Sequence, residues 1–247
     1  MSSEAATQGH PKGLAHHFET FEQQKESSFL GMWLFISQEL MFFGGIFAAY
    51  VNYRVLYPDA FIAGSQQLDV GIGAANTIVL LCSSFTMVYA VWVAQSGYDG
   101  RHFRRLPVLG ERLADNRWQI VLGLVGTLFF GTIFLVVKYF EYGSKFAHHL
   151  VPHWDFIPPV SSIPEPETTE IFFSLYFAMT GLHGLHMVVG MGIMVFMMIP
   201  MALRGAWDTN NHNFIEGFGL YWHFVDIVWI FLFPFLYLVG ESVGKIT

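Results

Sequence analysis

Charge is what this sequence has least of. Asp, Glu, Lys and Arg make up 13% of its 247 residues, against about a quarter in ordinary soluble domains. Apolar residues fill the space: 53% of the chain is hydrophobic, with 26 phenylalanines and a mean hydropathy of +0.45. That balance excludes an ordinary soluble domain and marks an integral membrane protein. Cysteine is nearly absent; Cys82 alone allows neither an internal disulfide nor a cysteine-only metal cluster. The net charge of -7 is thinly spread, and without a basic tract a nucleic-acid partner is excluded. Residues 1–28 lack the apolar core and small-residue cleavage site of a signal peptide and read as a polar cytoplasmic leader. No internal repeat or low-complexity tract is visible. No block alternates apolar and polar residues over ten positions as a membrane β-strand does.

What is present is a series of five apolar blocks, each near the ~20 residues that cross a bilayer. They lie at about 29–53, 70–95, 118–142, 170–199 and 217–240. Backbone polar groups must be satisfied internally in lipid, so the expectation is an all-α bundle of five transmembrane helices within residues 29–247. Orientation follows from loop Lys and Arg. Arg101, Arg104, Arg105, Arg112 and Arg117 crowd the second loop, while the loops opposite hold Arg54 and Lys145. This predicts a cytoplasmic N-terminus, with Lys12, Lys25 and Arg204 also inside, and a periplasmic C-terminus. The loop before the fourth helix, HHLVPHWDFIPPVSSIPEPETTE, is proline-rich and reads as an extended cover rather than a domain.

An ionisable group at membrane depth is a functional hypothesis by default. Glu39 lies about ten residues into the first block, ~15 Å along it at a helical rise. His183 and His186 lie deep in the fourth, and His223 and Asp226 in the fifth; Lys138 and Glu141 stand near the outer end of the third. Residues three apart on a helix share a face, so each of these pairs is expected to form one polar patch. A lone Glu39 carboxylate is disfavoured by burial, and a facing histidine can share its proton. For His183 and His186 the open readings are haem or metal ligation, proton relay, and hydrogen bonds that lock helices. Histidines three apart on one helix cannot sandwich a single iron, although His183 with His223 can. Glu39 reads as a proton-relay or lipid-contacting group, or as a paired structural carboxyl. Lys138 and Glu141 read as an interfacial salt bridge with a snorkelling lysine. His148, His149 and His153 have metal-compatible spacing in a loop where solvated polar residues are the commoner outcome.

Together these segments resemble subunit III of the haem–copper terminal oxidases, the cytochrome c oxidase family. The resemblance runs from about Gly31 to the C-terminus. It is most specific in EIFFSLYFAMTGLHGLHMVVG and NHNFIEGFGLYWHFVDIVWIFLFPFLYL, with their G-x-H-G-x-H and E-x(4)-Y-W-H-F-V-D patterns. LFISQELMFFGGIFAAY is similar to the family's first-helix pattern, with Gln38 where many members carry serine. The resemblance implies a non-redox subunit of an aa3- or caa3-type cytochrome c oxidase in the bacterial inner membrane. Haem and copper would then reside in partner subunits. It implies direct packing on subunit I, subunits II and IV in the same complex, bound phospholipid, and support of proton uptake and turnover stability. Membership of a respiratory supercomplex is open. It matches Glu39, His183, His186, Glu216, His223 and Asp226 to the family's buried polar residues and favours interhelical hydrogen bonding for the histidines. Long members have seven helices; this chain resembles the short form that begins at their third. The rival readings are a quinol oxidase subunit III or a nitric oxide reductase accessory protein, an autonomous proton channel, and a membrane cytochrome.

Overall fold

The computed structural model describes residues 18–97, 115–153, 156–159, 165–207 and 212–240. Five of its helices are long and apolar enough to cross a membrane. The first, α1 (Phe21–Leu56), starts two turns before the expected position. Its polar opening turns are helical because Thr20 caps them: its hydroxyl accepts from the Gln23 amide at 3.1 Å, and the Gln23 side chain accepts from the Glu19 amide at 2.9 Å. Hydropathy marks only the part of a helix that suits lipid, whereas caps decide where it begins.

A short helix that hydropathy did not reveal, α2 (Pro58–Ser65), follows, with Pro58 at the start, where its missing N–H costs nothing. α3 (Val70–Ser96) is capped by Asp69, which accepts from the Ile72 amide at 3.0 Å, and stops at Gly97 with φ 60°. α4 (Asn116–Ala147) is capped by Asp115. The Arg117 side chain hydrogen-bonds this carboxylate and holds its pKa below the ordinary aspartate value.

The fourth span, Pro166–Leu203, is not one regular helix. α5 (Thr169–Ile193) passes through a π-helical turn at Met194–Met198 into α6 (Ile199–Leu203). The change of register falls just before Pro200, whose ring has no N–H to give and crowds the carbonyl four residues back. α7 (Asn213–Tyr237) closes the bundle and ends within one turn of Pro234.

α7 is the central helix, with 56% of its most apolar stretch buried, whereas the corresponding stretch of α1 is 11% buried and α1 leans on the bundle from outside. α3 and α4 pack closest. A Cβ on Gly123 would stand 2.8 Å from the Ala90 Cβ, so only glycine permits this approach. Hydrogen bonds seal the seam: Ser83 donates to the Thr127 carbonyl at 3.3 Å, and the Trp222 indole of α7 donates to Ser83 at 3.1 Å. Lys145, expected in an outer loop, sits in the last turn of α4, buried, and donates to the Gln67 carbonyl. Residues 1–17 of the leader, Lys12 among them, and Arg101, Arg104, Arg105 and Arg112 lie outside the described residues.

Candidate functional site

α1 and α5 each bring one deep polar side chain to their common face. His186 Nε2 lies 3.2 Å from Glu39 Oε2, both side chains largely buried. The other ring nitrogen, Nδ1, is 2.8 Å from the Leu182 carbonyl. A carbonyl only accepts, so Nδ1 carries a hydrogen and Nε2 faces Glu39 with its remaining valence. One proton therefore serves the Glu39–His186 contact, held by either partner. The Tyr221 hydroxyl of α7 donates to the His186 carbonyl at 2.8 Å, tying α7 to the same turn.

This pair lines the end of a groove of about 680 Å³ between α1, α5 and α7. From Glu39 the groove runs past Phe35 and Met32 to Ser28 and Gln24, with Asn213 also in its wall. Its walls are mainly apolar, and the polar groups gather at its two ends. A site of this form can seat an alkyl chain along its length and offers a proton-sharing pair at one end.

His183 does not join His186. The buried stripe of α5 runs through Tyr176, Thr180, His183, Met187 and Gly190, so His183 points into the core while His186 sits on the flank facing α1. The His183 ring lies between Phe134 and Trp229, with ring centroids 5.3 and 5.2 Å away. The expectation of one shared patch therefore fails for this pair: three positions are 300° of helical turn, enough to separate two edges of a face.

Lys138 and Glu141 do meet, at 3.0 Å, but the lysine does not snorkel; both side chains are buried. Its ammonium also donates to the hydroxyls of Tyr176 (3.2 Å) and Tyr237 (2.9 Å). Both tyrosines in turn donate to Glu141 Oε1 at 2.6 Å. The Lys138 ammonium stands 5.2 Å from the Trp229 ring centroid. An aromatic cage with a carboxylate at its rim thus replaces the headgroup region as the resting place of this charge. Tyr176 and Tyr237 were missed in the sequence because their hydroxyls carry no charge; the i, i+4, i+7 stripe from Tyr176 through His183 was the available signal.

On α7, His223 Nδ1 lies 2.7 Å from the Ser84 hydroxyl of α3. Asp226 neighbours the same serine, yet among the described residues neither of its oxygens meets a donor in bonding geometry. Glu216 faces His212 at 3.7 Å. The loop histidines do not converge: the His148 ring bonds the Ser144 carbonyl, the His153 amide donates to Glu170, and His149 and His153 have φ of 55° and 61°. Among the described residues, no group of three or more His, Cys, Asp or Glu side chains is placed to hold a metal ion.

Residues 165–241 match the family model described as Cytochrome c oxidase subunit III. This stretch holds His183, His186, Glu216, His223 and Asp226; Glu39 and Lys138 lie outside it. Similar proteins include the cytochrome c oxidase subunit 3 of Alkalihalophilus pseudofirmus, 27% identical over 93% of this chain and 95% of the relative. That of Corynebacterium diphtheriae is 30% identical over 85% of this chain and 87% of the relative. A heme-copper oxidase subunit I+III of Aeropyrum pernix is 29% identical over 84% of this chain, which corresponds to 22% of that longer polypeptide.

Proposed function

The chain belongs to the cytochrome c oxidase subunit III family, and from that membership we propose that it is the non-redox subunit of an aa3- or caa3-type oxidase, packed on the catalytic subunit I. It is a multi-pass protein of the bacterial inner membrane. The observation that carries the pairing with subunit I is the relative from Aeropyrum pernix, whose name places I and III in one polypeptide. Haem and copper belong to the partner chains, among them subunit II, and this chain acts on them indirectly.

In this reading the polar leader and the arginine-rich second loop face the cytoplasm, and the C-terminus faces the periplasm. The Gln24 and Asn213 end of the groove then opens toward the inner side, and the Glu39–His186 pair closes it at depth. The groove takes a phospholipid acyl chain, and the pair fixes α1 against α5, so that the face of subunit I near its proton entrance stays shielded. Glu216, His223 and Asp226 belong to the same polar framework, as does the Lys138–Glu141 cage at the outer end.

Purification in mild detergent, with identification of the co-purifying chains and their haem content, tests the assignment. A haem-bearing subunit I should accompany this chain; its absence from an intact preparation would overturn the proposal. In the assembled complex, Glu39→Gln should leave the initial rate of oxygen reduction close to normal while shortening the working life of the enzyme. Complete loss of the initial rate would count against an indirect role.

A further inference from the structure

His183 is fully buried and yet makes no hydrogen bond: among the described residues, neither Nδ1 nor Nε2 has a partner. A neutral imidazole always has one N–H to give and one lone pair to fill. Leaving both unmet in an apolar interior costs on the order of 1–3 kcal/mol for each group.

The neighbours cannot supply these bonds, because their own polar groups are spent. The Trp229 N–H goes to the Thr77 hydroxyl at 3.1 Å. The Phe134 carbonyl receives the Asn76 amide, at a long 3.5 Å. All three Lys138 N–H groups are taken by Glu141, Tyr176 and Tyr237. Even the carbonyl one turn back, the partner His186 finds in Leu182, is not used by His183. One further orphan belongs to the same neighbourhood: Asn76 Oδ1 is buried without a donor. Asn76 bonds the backbone of Phe134, whose ring packs on His183, and its neighbour Thr77 bonds Trp229, whose ring covers the other side.

We infer that His183 and Asn76 form a binding site for internal water between α3, α4, α5 and α7. Water suits these groups because it can play both parts: a molecule at the protonated ring nitrogen accepts, a molecule at the other nitrogen donates, and a further water hydrogen fills Asn76 Oδ1; buried waters make about three such bonds. Among the described residues, no side chain bonds either His183 nitrogen or Asn76 Oδ1. The site is closed by Phe134 and Trp229 and is separate from the groove at Glu39. It makes the first histidine of G-L-H-G-L-H a hydrated pivot, while the second is a direct fastener.

Radiolytic footprinting of the intact oxidase complex tests this, since hydroxyl radicals born from a bound water mark the side chains around it. Trp222 and Phe172 are as fully buried as Trp229 and Phe134 and serve as dry controls within the same chain. Trp229 and Phe134 should be modified several-fold faster than these controls, and Asn76→Leu in an assembled complex should bring Trp229 down toward them. Equal labelling of the two sets in the unaltered complex overturns the site. Fast labelling of Trp229 that persists unchanged in Asn76→Leu overturns the role of Asn76 and with it the four-helix bridge.

Discussion

His186 on α5 and Glu39 on α1 stand 3.2 Å apart with one proton to share, and this contact, together with the hydrogen bond from the Tyr50 hydroxyl to the Phe235 carbonyl of α7, ties the peripheral first helix to the rest of the bundle. α1 is the least buried of the five spans, with Phe43 and Tyr50 as its buried residues, so each polar link weighs more here than it would in the centre. Glu39→Gln keeps a group that can donate to Nε2 and should hold α1 in place. Glu39→Leu removes it and leaves Nε2 facing hydrocarbon, a loss of about 1–3 kcal/mol. Limited proteolysis of the α1–α2 connection in detergent reads the difference: the Leu variant should be cut faster than both the parent and the Gln variant.

The Lys138 cage yields a second expectation, set by burial. Lys138→Met alone leaves Glu141 charged and enclosed, and Glu141→Gln alone leaves the ammonium without its counter-ion; each should cost roughly 3–5 kcal/mol. The double replacement removes both charges and should cost less than the sum of the two. A thermal-melting double-mutant cycle measures the coupling. Strict additivity would mean that the two groups do not act as a pair.

How far the sequence could lead is visible in these two clusters. Five spans were legible because lipid demands length and apolarity, and both are printed in the composition of each block. Glu39, His183, His186, Lys138 and Asp226 stood out because ionisable groups are rare at that depth. Their partners were less legible. Which of two histidines meets Glu39 depends on the rotation of α5 about its axis, which a three-residue spacing leaves open. The cage around Lys138 needs Tyr176 and Tyr237 from two other helices, and nothing local to Lys138 foretells them. The start of α1 and the existence of α2 depended on Thr20 and Pro58, signals of capping that hydropathy does not register.

Gly123 provides a steric test of the α3–α4 seam. A side chain there meets the Ala90 Cβ at 2.8 Å and the Thr86 carbonyl oxygen at 3.0 Å, and neither is the flexible end of a side chain. Gly123→Val should therefore force the helices apart at a cost of about 1–3 kcal/mol. Gly184, on α5, has nothing within 4 Å of an added Cβ. Gly184→Ala should leave the melting temperature of the solubilised chain close to normal, while Gly123→Val lowers it.

Asp115 connects helix capping to pH. Its carboxylate accepts from the Arg117 amide at 3.0 Å and pairs with the Arg117 guanidinium at 2.6 Å, and that pairing depresses its pKa below 3.8. A group held below its unfolded value adds stability that is fully present above 3.8 and is lost as pH falls through the depressed folded value. The guanidinium is half exposed, so solvent screens the ion pair and the cap dominates, about 1 kcal/mol by comparison with other N-caps. Asp115→Ala should therefore lower the melting temperature at neutral pH. The gap between variant and parent should narrow only in strong acid, below the ordinary aspartate range. Thermal melts across pH check both parts, and a gap that closed near pH 6 would assign the effect to a histidine instead.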